Sequence, residues 1–205
     1  MSKRLPMAER FRGFLPVVID VETGGINSKT DALLELAAVT LKIDTQGDLV
    51  LDQTFQEHIK PFEGANLDPK SLAFNKIDPY HPFRFALDEK NALQKLFVFV
   101  RAAKKQVGCQ RAVLVGHNAW FDLAFLNAAI ERTQIKNNPF HRFTCFDTAT
   151  LGGVMYGQTV LSKAVQAAGL SFNNDDAHTA KYDAEQTAQL FCKIVNQWYE
   201  CKTRA

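Results

Sequence analysis

Two carboxylates, Asp20 and Glu22, stand two positions apart at the end of an apolar, β-branched run that begins at residue 17. Such a run predicts a buried strand, in which residues i and i+2 point to the same face. Two carboxylates side by side in a core repel each other and are costly to desolvate. A hard divalent ion such as Mg²⁺ would remove both costs, because it takes carboxylate oxygens together with water and phosphate. The alternative to a metal site is a pair of solvated charges at a strand end. The D-x-E pattern alone does not decide between the two, so a metal site requires further ligand residues elsewhere in the chain.

Two further carboxylates, Asp122 and Asp183, supply such partners. Apolar residues follow each of them at spacings of three and four, which predicts that each aspartate lies on the inward face of a helix, near its start. One inward aspartate is more often a helix cap or an ion-pair partner than a ligand. Carboxylates from separate elements that are all predicted to be buried instead indicate a site for metal ions.

A histidine, His178, lies in a predicted loop five residues before Asp183. The ordinary pKa of histidine, about 6.5, suits a general base near neutral pH. The alternative interpretation is a surface histidine in a loop. Another histidine, His117, precedes the Asp122 helix and is interpreted as a structural hydrogen-bonding residue.

The elements that must position these groups follow an α/β order. Helices are expected at about 71–76 and 88–106, from Asp122 onwards, and three times more toward the C-terminus. Strand-like segments lie near 16–21, 33–43, 49–60, 111–116 and 143–147. Three consecutive strands followed by helices and parallel additions predict a mixed β-sheet flanked by helices.

Composition limits the classes of protein that remain. A chain of 205 residues with 46% hydrophobic content can bury one substantial core, which favours a single domain over 1–205 with a short basic N-terminal segment, 1–14. The net charge of +2 is too small to indicate nucleic-acid binding globally, so attraction for phosphate must come from local patches. The four cysteines show no C-x-x-C spacing, and no run is long enough to span a membrane. We therefore expect a cytoplasmic protein without disulfides.

The four carboxylates and His178 resemble the DEDDh exonuclease pattern, in order and in spacing. Most of the chain, from about residue 10 to 198, is similar to one family of that group, the ribonuclease T family. The resemblance is strongest over 11–14, 30–35, 72–75, 138–141 and 157–162. It implies an RNase H-like fold.

The resemblance also implies an activity: a metal-dependent 3′→5′ exoribonuclease that trims single-stranded 3′ ends of structured RNAs, tRNA among them, and that also accepts DNA 3′ ends. Two Mg²⁺ ions, with Mn²⁺ as a possible substitute, would clamp the attacking and leaving oxygens. The expected ligands are Asp20, Glu22, Asp122 and Asp183, and His178 would be the base. The alternatives are a proofreading or repair DNA exonuclease, and a catalytically silent RNase H-like module that only binds nucleic acid.

The residues that would contact nucleic acid also come from the resemblance. Phe74, Phe121 and Phe143 match positions that stack on the 3′-terminal bases, and aromatic stacking is a general way to hold single strands. Two positions depart from the family pattern: Ile26 replaces an expected phenylalanine, and Lys70 replaces a base-contacting glutamate.

A homodimer is the last expectation that the resemblance carries. In this family a basic patch on one subunit holds the RNA body for the active site of the other subunit. The matching cations are Arg10, Arg12, Arg111 and Lys136. A nearly neutral chain with an acidic site needs phosphate affinity elsewhere, so a separate cationic surface is physically reasonable.

Overall fold

A mixed five-stranded sheet forms the centre of the protein, in a computed structural model that describes residues 5–177 and 179–204. The strands are β1 (Phe14–Thr23), β2 (Leu33–Ile43), β3 (Leu49–His58), β4 (Arg111–Gly116) and β5 (Phe140–Asp147). Their order across the sheet is β3-β2-β1-β4-β5. Strands β1 to β3 pair antiparallel, whereas β4 and β5 add parallel to β1.

Helices cover both faces of this sheet. They are α1 (Pro69–Asn75), α2 (Glu89–Gln106), α3 (Trp120–Thr133), α4 (Thr148–Tyr156), α5 (Leu161–Ala167) and α6 (Ala180–Arg204). The parallel strands need crossover connections, which α1 and α2 supply between β3 and β4, and α3 supplies between β4 and β5. The long helix α6 packs across β1, β2 and β3. Because both faces are covered, the central strands are apolar on both sides, and residues 33–41 are all buried.

The topology brings the ends of β1 and β4 to the same edge of the sheet, because these two strands are parallel. Asp20 and Glu22 lie near the end of β1, and the turn after β4 leads directly into α3. A Cβ atom at Gly116 would lie 2.9 Å from Oδ2 of Asp122 and 3.0 Å from Cα of Ala119. A glycine at this position therefore lets α3 begin close against the strand.

The sheet and helix pattern expected from the sequence is confirmed: the chain has a mixed five-stranded sheet flanked by helices. Several bounds differ by a few residues, and two of these differences have clear local reasons. Helix α1 begins at Pro69 instead of residue 71, because the side chain of Asp68 accepts a hydrogen bond from the Lys70 amide and proline suits the first helical position. Strand β5 begins at Phe140 instead of 143, because Phe140 pairs with Ala112 across an irregularity in the register.

Two smaller expectations concern cysteines and membranes. All four cysteines are free thiols, and Cys109 and Cys192 lie in the core. Over the described residues, none of the helices combines the length and the apolar character that a membrane span requires.

Candidate active site

Three carboxylates meet at the end of β1. Asp20 and Glu22 point to the same face of the strand, and Asp183 reaches them from the first turn of α6. Each offers one oxygen, and these oxygens all lie within 4.8 Å of one another. The alternation expected from the D-x-E spacing thus puts both strand residues beside a carboxylate that is more than 160 positions away in the chain.

The electrostatics of this cluster are those of crowded, buried acids. Burial, followed by the charges of Asp183 and Glu35, raises the pKa of Glu22 to about 8, although a hydrogen bond from Asn75 opposes the shift. Burial, followed by the charges of Asp122 and Glu22, raises the pKa of Asp20 well above its ordinary value. Deprotonated carboxylates are therefore costly here unless positive charge joins them.

Asp122 lies next to this cluster but is not one of the three clustered carboxylates. It is buried in the first turn of α3, and its Oδ1 accepts a hydrogen bond from the backbone amide of Val21 at 3.1 Å. Burial is the main cause that raises the pKa of Asp122 to about 8. In this structure Asp122 thus supports the β1 backbone from the side of α3.

The donor set fits a hard divalent cation. Asp20, Glu22 and Asp183 supply only carboxylate oxygens, which suit Mg²⁺ better than a softer metal. A cation among them would also relieve the like-charge repulsion that raises their pKa values. The residues present are therefore consistent with a divalent-metal site.

A cavity of about 420 Å³ opens over the three carboxylates. The ring of Phe121 lines it half-buried, while Phe74 and Ile26 are 63% and 85% exposed. Lys70 lines the same cavity one helical turn before Phe74. Apolar side chains at the mouth of an acidic cavity give a nucleotide base a surface to stack on, beside a place for its phosphate.

The loop that carries Ile26 is held together by hydrogen bonds to Asp31. Asp31 is buried and accepts hydrogen bonds from the Asn27 amide at 2.9 Å, the Thr30 hydroxyl at 2.7 Å and the Asn66 side chain at 3.0 Å. A Cβ atom at Gly25 would lie only 2.0 Å from Oδ2 of Asp31, so a glycine is required there. These contacts therefore hold the loop in the conformation that places Ile26 at the cavity.

Two positioning residues were missed by the sequence analysis. Asn75 is buried, donates to the Thr23 carbonyl at 3.0 Å and hydrogen-bonds Glu22. Asp147 accepts from the Asn118 amide at 2.8 Å and also caps α4, so it ties the start of α3 to β5. Asn75 stands in one of the segments that carry the family resemblance, which was the available signal; for Asp147 the pattern gave none.

The two histidines singled out from the sequence have different outcomes. His178 lies outside the described residues, so its role stays a prediction. His117 is a structural residue as expected: its ring contacts the Thr148 hydroxyl at 3.0 Å and the Thr159 carbonyl at 2.8 Å. Burial is the main cause that lowers its pKa.

Phe143 lies apart from the cavity above the carboxylates. Its ring is 78% exposed and lines a second depression, of about 630 Å³, together with Arg111 and Arg142. A row of rings leads from it toward the N-terminal segment: Phe143 is 4.6 Å from His141, and His141 is 5.5 Å from Phe14, between ring centroids. The guanidinium of Arg12 lies 5.3 Å from the centroid of Phe14.

The expected basic patch needs one correction, at Arg10. This side chain is 1% exposed, donates to the carbonyls of Leu5 at 2.7 Å and Gly47 at 3.0 Å, and lies over the ring of Tyr199. It is a buried structural cation, because the N-terminal segment folds back against the β2–β3 turn. The other three cations, Arg12, Arg111 and Lys136, are exposed.

Comparisons with known proteins agree with this geometry. The family model RNase_T, described as Exonuclease, matches residues 17–191. Ribonuclease T of Citrobacter koseri is 59% identical over 192 residues, which cover 94% of this chain and 89% of that protein.

Solved structures show the same fold. The nuclease domain of 3′hExo, a DEDDh family member bound to rAMP, has a TM-score of 0.71 at 20% identity, over 89% of this chain and 92% of that one. E. coli exonuclease I in complex with a dT13 oligonucleotide has a TM-score of 0.69 at 14% identity, over 93% of this chain and 43% of that one.

Proposed function

The chain belongs to the RNase_T exonuclease family, and from this premise we propose how its site binds metal, holds a nucleic-acid end and assembles. It is a 3′→5′ exoribonuclease, as its relative ribonuclease T and the family model indicate. We propose that residues 1–205 form one exonuclease domain and that the protein acts in the cytoplasm. One observation carries the proposal: three carboxylates from β1 and α6 converge beneath a cavity whose mouth presents the exposed ring of Phe74.

The metal-binding residues are Asp20, Glu22 and Asp183, with Asp122 approaching from α3. We assign two Mg²⁺ ions per site, which Mn²⁺ can replace, since the donors are hard oxygens. Bound divalent ions would activate water and stabilise the leaving 3′ oxygen. The chain's own part is to fix the carboxylates: β1 holds Asp20 and Glu22 on one face, Asn75 holds Glu22, and the first turn of α6 brings Asp183.

The 3′-terminal nucleotide is held by the apolar residues at the cavity mouth. Phe74 from α1 and Ile26 from the loop held by Asp31 line this cavity, and the half-buried Phe121 lines it as well. Aromatic stacking is sequence-tolerant, because every base has a flat face. Phe143 then stacks on a base further from the end, where Arg111 lies in the same depression.

His178 is the proposed general base. In the sequence it stands two positions before the first residue of α6, the helix that carries Asp183, and this closeness in the chain supports the proposal. A neutral imidazole can accept a proton from the attacking water near neutral pH.

The substrates we propose are single-stranded 3′ ends of structured RNAs, including tRNA and other stable RNAs, and also DNA 3′ ends. The relative's name, ribonuclease T, favours RNA. One neighbour of the same fold holds rAMP, a ribonucleotide, and another holds dT13, a DNA oligonucleotide, so proteins of this fold bind both ribose and deoxyribose ligands. A proofreading or repair DNA exonuclease is the second candidate.

The experiment that separates these candidates uses the full chain with Mg²⁺ on two matched substrates. One is tRNA labelled at its 3′ end, and the other is a DNA duplex with a 3′ overhang of the same length. We expect nucleotides to be released from the 3′ end of each substrate, with a higher kcat/KM for the RNA. A higher kcat/KM for the DNA would favour the repair enzyme, and no release from either would leave only the silent binding module.

A homodimer in which a basic patch acts on the partner's substrate is the proposed assembly. The patch contains Arg12, Arg111 and Lys136; Arg10 is excluded because it is buried. Arg111 pairs with Phe14 at the start of β1, whereas the carboxylates lie near the end of that strand. The patch is thus separated from the site along β1, and a two-fold dimer can place each patch opposite the partner's site.

Subunit mixing tests this assembly. Arg12→Gln with Arg111→Gln in one protein should weaken tRNA binding in a salt-dependent manner, and Asp20→Asn should silence the other protein. Heterodimers of the two carry one subunit with an intact patch and another with an intact site, so activity should recover if the patch works in trans. No recovery despite proven subunit exchange would refute the trans arrangement.

A further inference from the structure

A fourth carboxylate, Glu35, lies beside the metal-binding cluster on the neighbouring strand. Glu35 on β2 is the direct register partner of Glu22 on β1, so the two side chains leave the sheet on the same face. Glu35 is buried, with 5% of its surface exposed. Like charges directly opposite each other across an antiparallel pair destabilise a sheet, so packing alone does not explain this arrangement.

Polar groups of β3 and of the following loop hold Glu35 on its far side. The side-chain amide of Gln56 donates a hydrogen bond to Oε1, and Nδ1 of His58 lies 3.9 Å from Oε2. His58 is the register partner of Glu35 on β3. The guanidinium of Arg84 donates to the Leu34 carbonyl at 2.7 Å; burial lowers the pKa of Arg84, and the charge of Glu35 opposes that shift. These contacts fix the carboxylate in place beside Glu22.

The negative charge of Glu35 acts electrostatically on the cluster of three carboxylates. Glu35 lies directly opposite Glu22 in the register of β1 and β2, on the sheet face that also carries Asp20. A potential that disfavours further negative charge favours a bound cation by the same interaction. Glu35 does not belong to the group of three whose oxygens lie within 4.8 Å of one another, so it acts on the site without being one of those ligands.

We propose that Glu35 is a positioning residue that strengthens divalent-cation binding at the Asp20–Glu22–Asp183 cluster through its fixed charge on the adjacent strand. The inference rests on the proposed metal-dependent function and deepens it. Residues just outside a metal's ligand shell commonly change metal affinity about 10- to 100-fold, and Glu35 has the burial and fixed orientation of such a residue. In the metal-free protein the same charge costs stability, because it adds to the repulsion among the carboxylates.

The test is Glu35→Gln in the full chain, with Glu57→Gln as the matched control. Glutamine keeps the size of the side chain and can still accept from Gln56, so the variant removes little besides the charge. Glu57 is a neighbour on β3 that points to the opposite face and pairs with Lys95 at 2.7 Å. Each variant therefore removes one negative charge, from β2 or from the adjacent β3. Only Glu35→Gln removes that charge beside Glu22.

Calorimetric titration with Mg²⁺, without nucleic acid, measures the affinity directly. We expect Glu35→Gln to raise the Kd for Mg²⁺ roughly 10- to 100-fold, with a melting temperature in EDTA that is not lower than that of the unchanged protein. The control should leave the Kd within about threefold, and kcat of Glu35→Gln at saturating Mg²⁺ should be retained. An unchanged Kd would overturn the proposal.

A second variant, Glu35→Asp, separates charge from shape. Because aspartate keeps the charge, it should hold Mg²⁺ more tightly than Glu35→Gln does. Equal loss in both variants, together with a lower melting temperature in EDTA, would assign Glu35 a purely structural role. If Glu35→Gln does not fold, a Kd of Glu35→Asp within about threefold of the unchanged protein supports the proposal, and a larger loss overturns it. Absence of nuclease activity in a chain that still binds Mg²⁺ would contradict the proposed function alone.

Discussion

The carboxylate of Asp122 accepts a hydrogen bond from the backbone amide of Val21, with 3.1 Å between Oδ1 and the nitrogen. Val21 stands between Asp20 and Glu22, and β1 has already lost its β4 partner after Val18. The side chain from α3 therefore takes the place of a strand partner at this point, because a buried backbone amide needs an acceptor. One bond between residues 101 positions apart thus fixes the strand that carries two metal-binding carboxylates.

Removal of a central carboxylate should separate catalysis from folding. Asp20→Asn is expected to abolish hydrolysis in Mg²⁺ while binding of a single-stranded 3′ end stays measurable. In EDTA the free energy of unfolding should rise, on the order of 1 kcal/mol, because one charge leaves a mutually repelling cluster. Single-turnover hydrolysis and urea denaturation measure the two effects. Substantial turnover by this variant would show that the metal assignment is wrong.

The metal-free protein should lose stability as the pH rises. The pKa values of Glu22 and Asp122 are raised to about 8 in the folded chain, chiefly by burial, whereas unfolded carboxyls titrate at about 4. Between these values the folded state binds more protons than the unfolded state, so stability falls with increasing pH through that window.

Urea denaturation in EDTA at pH 5 and pH 8.5 checks this sign. We expect the lower midpoint at pH 8.5, and saturating Mg²⁺ should reduce the difference because the cation replaces the protons. Glu22→Gln, which cannot ionise, should flatten the dependence. A midpoint that rises with pH in EDTA would contradict the raised pKa values.

Loss of the proposed base should affect the chemical step. His178→Ala is expected to lower kcat by about 10²–10⁴-fold, with little change in the Kd for a single-stranded end. The acidic limb of the pH–rate profile should disappear, because protonation of His178 would no longer stop the reaction. His81→Ala, at an exposed histidine that does not line the cavity, is the matched control and should leave kcat unchanged. The same acidic limb in the His178 variant would mean that another group activates water.

Phe74 should contribute to substrate binding more than to chemistry. Phe74→Ala is expected to reduce the free energy of binding to a single-stranded 3′ end by about 1–3 kcal/mol, the usual value of one base stacked on an aromatic ring. Phe83→Ala removes a ring that is 75% exposed but does not line the cavity, so it should leave the Kd unchanged. Fluorescence anisotropy with a labelled oligonucleotide measures both, and equal effects in the two variants would count against stacking at Phe74.

The sequence by itself determined the elements and the residue types of the site. Side chains alternate along a strand, so the D-x-E spacing was enough to put Asp20 and Glu22 on one face, and the apolar stripe was enough to turn Asp122 inward. The resemblance to the family predicted the activity, and the comparisons confirm that the chain belongs to that family. Local rules of this kind act over a few residues and can be applied without knowing where other segments lie.

Only the tertiary structure decided which groups meet. The burial of Arg10 depends on how the N-terminal segment packs against the turn at Gly47 and the ring of Tyr199, and a charged residue near a terminus carries no local sign of that. Glu35 became part of the site through its strand register with Glu22, and Asp122 through its bond to Val21. Strand pairing and helix packing join positions that are distant in the chain, so the electrostatics of the site follow from the folded arrangement.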